Sequence, residues 1–230
     1  MKHLLAAALC AALAMSGIAV AADAPELKGD KEKLSYSVGM DIGANLKRQS
    51  IEVDPDLLAK GFRDSYTGGK TLLTEEESRQ AIQNFQKQMM AKQAEAMKQQ
   101  AEKNKADGEK FLAENKGKEG VKTTASGLQY KVIQEGAGKS PTADNTVEVH
   151  YKGTLVNGTE FDSSYKRGQT ATFPVSGVIP GWTEGLQLMK EGGKYQLFVP
   201  SGLAYGERGA GKDIGPNAAL IFDVELISVK

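Results

Sequence analysis

Near Val121 the recurrence of apolar residues changes from every fourth position to every second, so the two halves of this chain must fold by different rules. Upstream, Leu34, Val38, Ile42 and Leu46 fall four apart and share one face of a helix. A second helix follows, with Asp54 as its cap, Pro55 at its first position, and Leu57, Leu58, Gly61, Phe62 and Ser65 as its apolar stripe. Gly68 and Gly69 end it. Two short amphipathic helices cannot bury their own apolar faces, so residues 23–73 read as a helical module that needs a partner. Gly39 and Gly43, four apart, fit either a close helix crossing or glycines that are merely tolerated.

Thr74-Glu75-Glu76-Glu77 is a capping box, and Glu75 stands four residues before Arg79, the favourable order for an ion pair. Ile82, Phe85 and Met89 continue an apolar stripe, but beyond Met97 the chain is almost wholly Gln, Lys, Glu and Ala. These are strong helix formers with little to bury. Residues 74–120 therefore predict a long connecting helix, docked at its start and solvated later, about 60 Å long if it reaches Asn115. Gly108 is its weak point. A charged linker over 98–120 is the competing reading.

From residue 121 to 230 the pattern is that of strands. Leu128, Tyr130 and Val132 alternate with polar residues, as do Val147, Val149 and Tyr151. Asn157-Gly158 predicts a tight hairpin with positive φ at both turn positions. Residues 194–199 and 220–229 read as further strands, and 180–189 as one short helix. The expected fold class is α+β: an antiparallel sheet wrapped around one short helix, preceded by the helical module and the connecting helix.

Residues 1–22 read as a secretory leader. Lys2 precedes an apolar run too short to span a bilayer, and Ala19-Val20-Ala21-Ala22 offers small-residue cleavage sites. Leu9 before Cys10 is too bulky, and the apolar run there too short, for a lipid anchor. Loss of the leader would remove Cys10, the one cysteine, and His3, one of two histidines. A disulfide framework, a thiolate nucleophile and a Cys/His zinc site are then excluded within one chain. His150 reads as a strand residue with a solvated or hydrogen-bonded ring rather than a general base. Acidic and basic residues balance at 29 each, which argues against nucleic acid as a partner. No later segment is long and apolar enough for a membrane anchor.

Catalytic pairs are scarce in the second half. Glu160 and Asp162 flank Phe161, and strict alternation would point both away from it, without making a glycosidase pair. The glycines of 206–211 lack the Lys-Ser/Thr of a phosphate loop. Aromatic and branched residues at turns remain: Tyr151, Phe161, Phe173, Val178, Ile179, Trp182, Tyr205 and Phe222.

In their order, Gly-Thr-Glu-Phe161-Asp162-Ser-Ser, Val178-Ile179-Pro-Gly-Trp182, Leu203-Ala-Tyr205-Gly and Leu220-Ile-Phe222-Asp-Val-Glu-Leu resemble the FK506-binding type of peptidyl-prolyl cis/trans isomerase. The resemblance implies a half-open antiparallel sheet curled around the helix, with an apolar pocket between. It implies Trp182 as the pocket floor, and Tyr151, Phe161, Phe173 and Phe222 as its walls. Asp162, Tyr205 and Phe222 are its expected catalytic residues. Val178, the Ile179 N–H and Ile214 on a loop over the pocket complete the expected substrate contacts. Ala171 stands where many members carry another aromatic. No cofactor or metal is implied.

Leu34-Ser-Tyr36-Ser-Val-Gly39 and the helix after Asp54 resemble, more loosely, the N-terminal module of the macrophage infectivity potentiator group, whose members dimerise through it. The implied protein is a periplasmic homodimer, with outer-membrane association or secretion left open. It would act on proline-containing unfolded or exported polypeptides, bind FK506-like inhibitors and hold clients as a chaperone does. A non-enzymatic docking module is the alternative; Asp162, Trp182, Tyr205 and Phe222 favour the enzyme.

Overall fold

The structure, a computed structural model, describes residues 26–230. The proposed leader lies outside the described residues. Two compact units divide the chain after Thr74.

The first unit holds α1 (Asp30–Arg48) and α2 (Pro55–Tyr66). Asp54 caps α2 as expected, its carboxylate accepting from the Asp56 and Leu57 N–H groups at 2.9 and 3.0 Å. Neither helix has a buried residue. Leu34, Val38, Ile42, Leu57, Leu58 and Phe62 are all exposed.

The second unit begins with α3 (Glu75–Asn115), one uninterrupted helix of 41 residues. Its docking is the reverse of the sequence expectation. Of the expected stripe near the start, Ile82 and Phe85 are exposed and Met89 is half-buried, whereas the two buried residues are Gly108 and Asn115. Hydrogen bonds, a close backbone approach and an aromatic contact together hold that end. The Asn115 side chain donates to Gln129 at 3.0 Å, and Gln129 donates back to the Leu112 carbonyl at 2.8 Å. Phe111 adds an aromatic contact to Phe198, centroids 5.9 Å apart.

Seven strands follow: β1 (Val121–Thr123), β2 (Gln129–Gln134), β3 (Thr146–Leu155), β4 (Glu160–Ser163), β5 (Ala171–Pro174), β6 (Lys194–Val199) and β7 (Leu220–Val229). They pair antiparallel in the order β1-β2-β6-β7-β3-β4, with β5 also on β3. Inward residues Val147, Val149, Leu197, Leu220 and Leu226 are buried, and α4 (Pro180–Gln187) brings Trp182 and Leu186 to the same core. Gly181 and Gly185 let α4 approach β6 closely: a Cβ on either would lie 2.4 Å from Val199 or 2.7 Å from Leu197.

The β3–β4 hairpin differs from the turn expected at Asn157-Gly158. Gly158 alone has positive φ, at 86°. Its N–H donates to the Leu155 carbonyl, and Leu155 donates to Thr159, both at 2.9 Å. That is a three-residue loop, a turn closed by a left-handed glycine, which asks less of Asn157 than the two-residue turn does.

Candidate active site

Trp182 is 4 % exposed and is the hub of an aromatic cluster. Tyr151 from β3, Phe173 from β5 and Phe222 from β7 each meet it edge to face, with centroids 5.2, 5.8 and 5.2 Å away. Phe161 from β4 stands edge-on to Phe222 at 5.6 Å. Such T-shaped contacts suit the ring quadrupoles and hold five side chains in fixed relative orientation. The indole N–H of Trp182 is buried without a hydrogen-bond acceptor. Val178 and Ile179 pack against this core at the entry to α4. The Ile179 carbonyl accepts from Trp182 and Thr183, starting the helix, while its own N–H donates to no described residue.

Asp162 reaches the cluster through an irregularity that strict alternation could not foresee. Gly153 pairs with Asp162 but Thr154 pairs with Glu160, so Phe161 is an extra residue bulged out of the ladder. The bulge lets neighbours Phe161 and Asp162 both engage the aromatic group. Gly153 makes room beneath it: a Cβ there would sit 2.5 Å from the Phe161 ring and 2.9 Å from that of Phe222.

The Asp162 carboxylate accepts hydrogen bonds from the Tyr151 hydroxyl and from Arg167. Arg167 also donates to the Tyr151 oxygen at 2.8 Å, and its guanidinium lies over the Tyr151 ring. Burial pushes Asp162 up, but these two donors, the Arg167 charge and the Ser163 backbone N–H outweigh it and leave its pKa below the ordinary carboxylate value. Burial, then the bond to Asp162, raises the Tyr151 phenol. Arg167 and Gly153 went unrecognised in the sequence. An arginine in a polar loop five residues past Asp162 carries no pattern of its own.

Tyr205 is 41 % exposed, just before the 3₁₀ turn Gly206–Arg208. Ile214 is buried and joined to Ala210 by a two-way backbone bridge. His150 stands outside the cluster, its Nδ1 3.0 Å from the Ser164 hydroxyl and its ring stacked on Tyr165. A separate depression of about 550 Å³ is lined by Tyr165 and by the ion pairs Lys152–Asp223 and Lys166–Glu160, and none of the five rings of the Trp182 cluster lines it. Among the described residues no group of acidic, His or Cys side chains could hold a metal.

An antiparallel sheet folded over one helix, with five aromatic side chains gathered around Trp182, defines the class of fold and site. Comparison with known proteins gives the class its family. Residues 138–227 match the FKBP-type peptidyl-prolyl cis-trans isomerase domain, and residues 31–132 the domain amino terminal to it. The outer membrane protein MIP of Legionella longbeachae is 51% identical over 230 residues, spanning 100% of this chain and 99% of that protein. The peptidyl-prolyl cis-trans isomerase Mip of Coxiella burnetii is 50% identical with the same coverage. The crystal structure of FkpA from Escherichia coli superposes with a TM-score of 0.74 at 39% identity, covering 89% of this chain and 99% of that one. The chain belongs to the FKBP-type peptidyl-prolyl cis-trans isomerases, in their macrophage infectivity potentiator group. It is an isomerase enzyme. No described helix is long and apolar enough to cross a membrane.

Proposed function

We propose that the chain is an exported homodimer that isomerises X–Pro bonds in unfolded polypeptides at the Trp182 pocket. The observation that carries this reading is the edge-to-face ring cluster around Trp182. The barrier to amide rotation, ~18–20 kcal/mol, comes from N–C=O conjugation. Twisting the amide localises the nitrogen lone pair and lessens the carbonyl dipole. A dry aromatic surface is a poorer solvent than water for the planar, dipolar amide, and loses less by comparison when the bond twists. The proline ring sits on Trp182, with Tyr151, Phe161, Phe173, Val178 and Phe222 around it. The unpaired N–H of Ile179 and the exposed Tyr205 hydroxyl anchor substrate carbonyls, and Ile214 covers the flanking residue. Asp162 acts as a fixed charge at the rim, since its two donors hold it ionised and the reaction moves no proton.

The exposed faces of α1 and α2 support dimerisation and the holding of clients, and the leader together with the name of the Legionella relative supports export. The full chain should accelerate isomerisation of a proline tetrapeptide and lose that activity to an FK506-like inhibitor. Activity absent at micromolar enzyme would leave the docking-module reading. Light scattering tests the dimer, and Phe62→Glu on the exposed face of α2 should give a monomer with unchanged turnover of short peptides.

A further inference from the structure

We propose that α3 is part of the substrate-selecting apparatus: through Asn104 and Gly108 it positions the 205–219 segment and thereby sets which residue is accepted before proline. The inference rests on the placement of Tyr205 and Ile214 against substrate given above.

Gln100, Asn104 and Gly108 fall four apart on one face of α3. Gln100 donates to the Asn104 side-chain oxygen at 2.7 Å, which turns the Asn104 amide so that its NH₂ donates to the Pro216 carbonyl at 2.8 Å. The backbone of Gly215 lies directly on this pair, since a Cβ there would be 2.8 Å from the Asn104 nitrogen. One turn on, Gly108 faces Ala219; a Cβ at Gly108 would stand 3.0 Å from that of Ala219. The helix thus grips the short stretch between Ile214 and the start of β7, which carries Phe222.

The grip is transmitted to both substrate-facing groups. Ile214 immediately precedes Gly215, and its bridge to Ala210 makes that end of the loop one rigid unit. Asn217, held at φ 57°, donates its N–H to the Gly206 carbonyl at 2.8 Å, and Gly206 follows Tyr205. A shift of α3 therefore moves Tyr205 and Ile214 together. The Trp182 floor stands on α4 and the sheet and makes no contact in this chain of bonds. Rate at a small residue before proline should depend on the floor, and discrimination between small and large residues on the loop. Small misplacements at a pocket edge are felt strongly in rate.

The test uses the full-length protein and two tetrapeptides with alanine or leucine before proline. Asn104→Asp keeps the shape but sets a carboxylate against the Pro216 carbonyl. Gly108→Ala puts a methyl 3.0 Å from that of Ala219 while substituting a better helix former, and a purely structural helix predicts no change in selectivity whatever the balance of those two effects on stability. Asn104→Asp should change the leucine-to-alanine ratio of kcat/KM about fivefold, the worth of the part-buried bond to Pro216, and Gly108→Ala should change it through the tight contact with Ala219, its gain in helix propensity offsetting that contact in the thermal midpoint. The double variant Gly108→Ala/Ala219→Gly, which moves the methyl across the contact, should restore the ratio. An unchanged ratio in both single variants, or an equal loss on both peptides, overturns the inference and leaves the pocket reading standing. That reading fails separately, if Phe222→Ala turns over both peptides at the parent rate.

Discussion

The Tyr151 hydroxyl donates to the Asp162 carboxylate, and the two share Arg167 as a further partner. This arrangement separates the titrations of the site. Asp162 is held below its ordinary 3.8 and Tyr151 above its ordinary 10.0. For Asp162 the folded-state value is depressed, so its stabilising contribution is complete above the unfolded value and lost as pH falls through the folded one. For Tyr151 the folded state binds its proton more tightly, and that contribution disappears only as pH rises beyond 10.0. The kcat/KM of the full chain should therefore be flat from about pH 5 to 9. An inflection inside that window would show that a titrating group takes part.

Arg167 is half exposed, and exposed ion pairs contribute little to stability, so Arg167→Leu should change unfolding free energy by less than about 1 kcal/mol. Its effect belongs on catalysis. Without it Asp162 loses one of its two side-chain donors and Tyr151 loses both a donor and the cation over its ring. A fall in kcat/KM of roughly fivefold to tenfold is expected, the worth of a hydrogen bond or slightly more. Arg167→Lys should not rescue it, because an ammonium lacks the planar fork that reaches Asp162 and Tyr151 together. Steady-state rates beside urea denaturation would separate the two effects.

Gly153 is the least conspicuous residue of the site and among the least replaceable. Its absent Cβ is where the Phe161 and Phe222 rings sit. Gly153→Ala must push them toward the pocket, at a cost of about 1–3 kcal/mol from overpacking. Loss of affinity for an FK506-like inhibitor should accompany it. Gly153→Ala/Phe161→Leu, which removes the ring atoms nearest the new methyl, should recover most of the stability. Calorimetry and inhibitor titration on the three proteins would show whether it does.

These cases mark what the sequence could and could not convey. Strands β6 and β7 fall where alternation put them, and Asp54 with Pro55 opens α2, because each signal is local. The aromatic residues were readable as a set through their resemblance to a family. Their joining of Asp162 was not, since it depends on a bulge defined by pairing with a different strand. Gly153 reads as a weak strand residue until the rings that fill its space are known. The docking of α3 was misread for a similar reason. Its longer apolar stripe lies at the start, but its docked end is held by Phe111 alone among aromatics, with Asn115, Gln129 and the bare backbone of Gly108, too sparse an apolar pattern for periodicity to register.

That docking bears on where the isomerase domain begins. A fragment of residues 121–230 carries every residue of the proposed site, yet it loses Phe111 from Phe198 and both hydrogen-bond partners of the buried Gln129 side chain. It also uncovers Ala219, which Gly108 faces. Exposing the apolar surface of one such aromatic contact is worth about 1.5–3 kcal/mol, while the freed Gln129 amide can turn to water and costs less. The fragment should therefore unfold at a lower urea concentration than one starting at Glu75, by about 2 kcal/mol or more in free energy. Phe111→Ala in the longer fragment should account for most of the difference. Coincident midpoints for the two fragments would contradict the docking of α3, because helix and sheet would then be stable independently of each other.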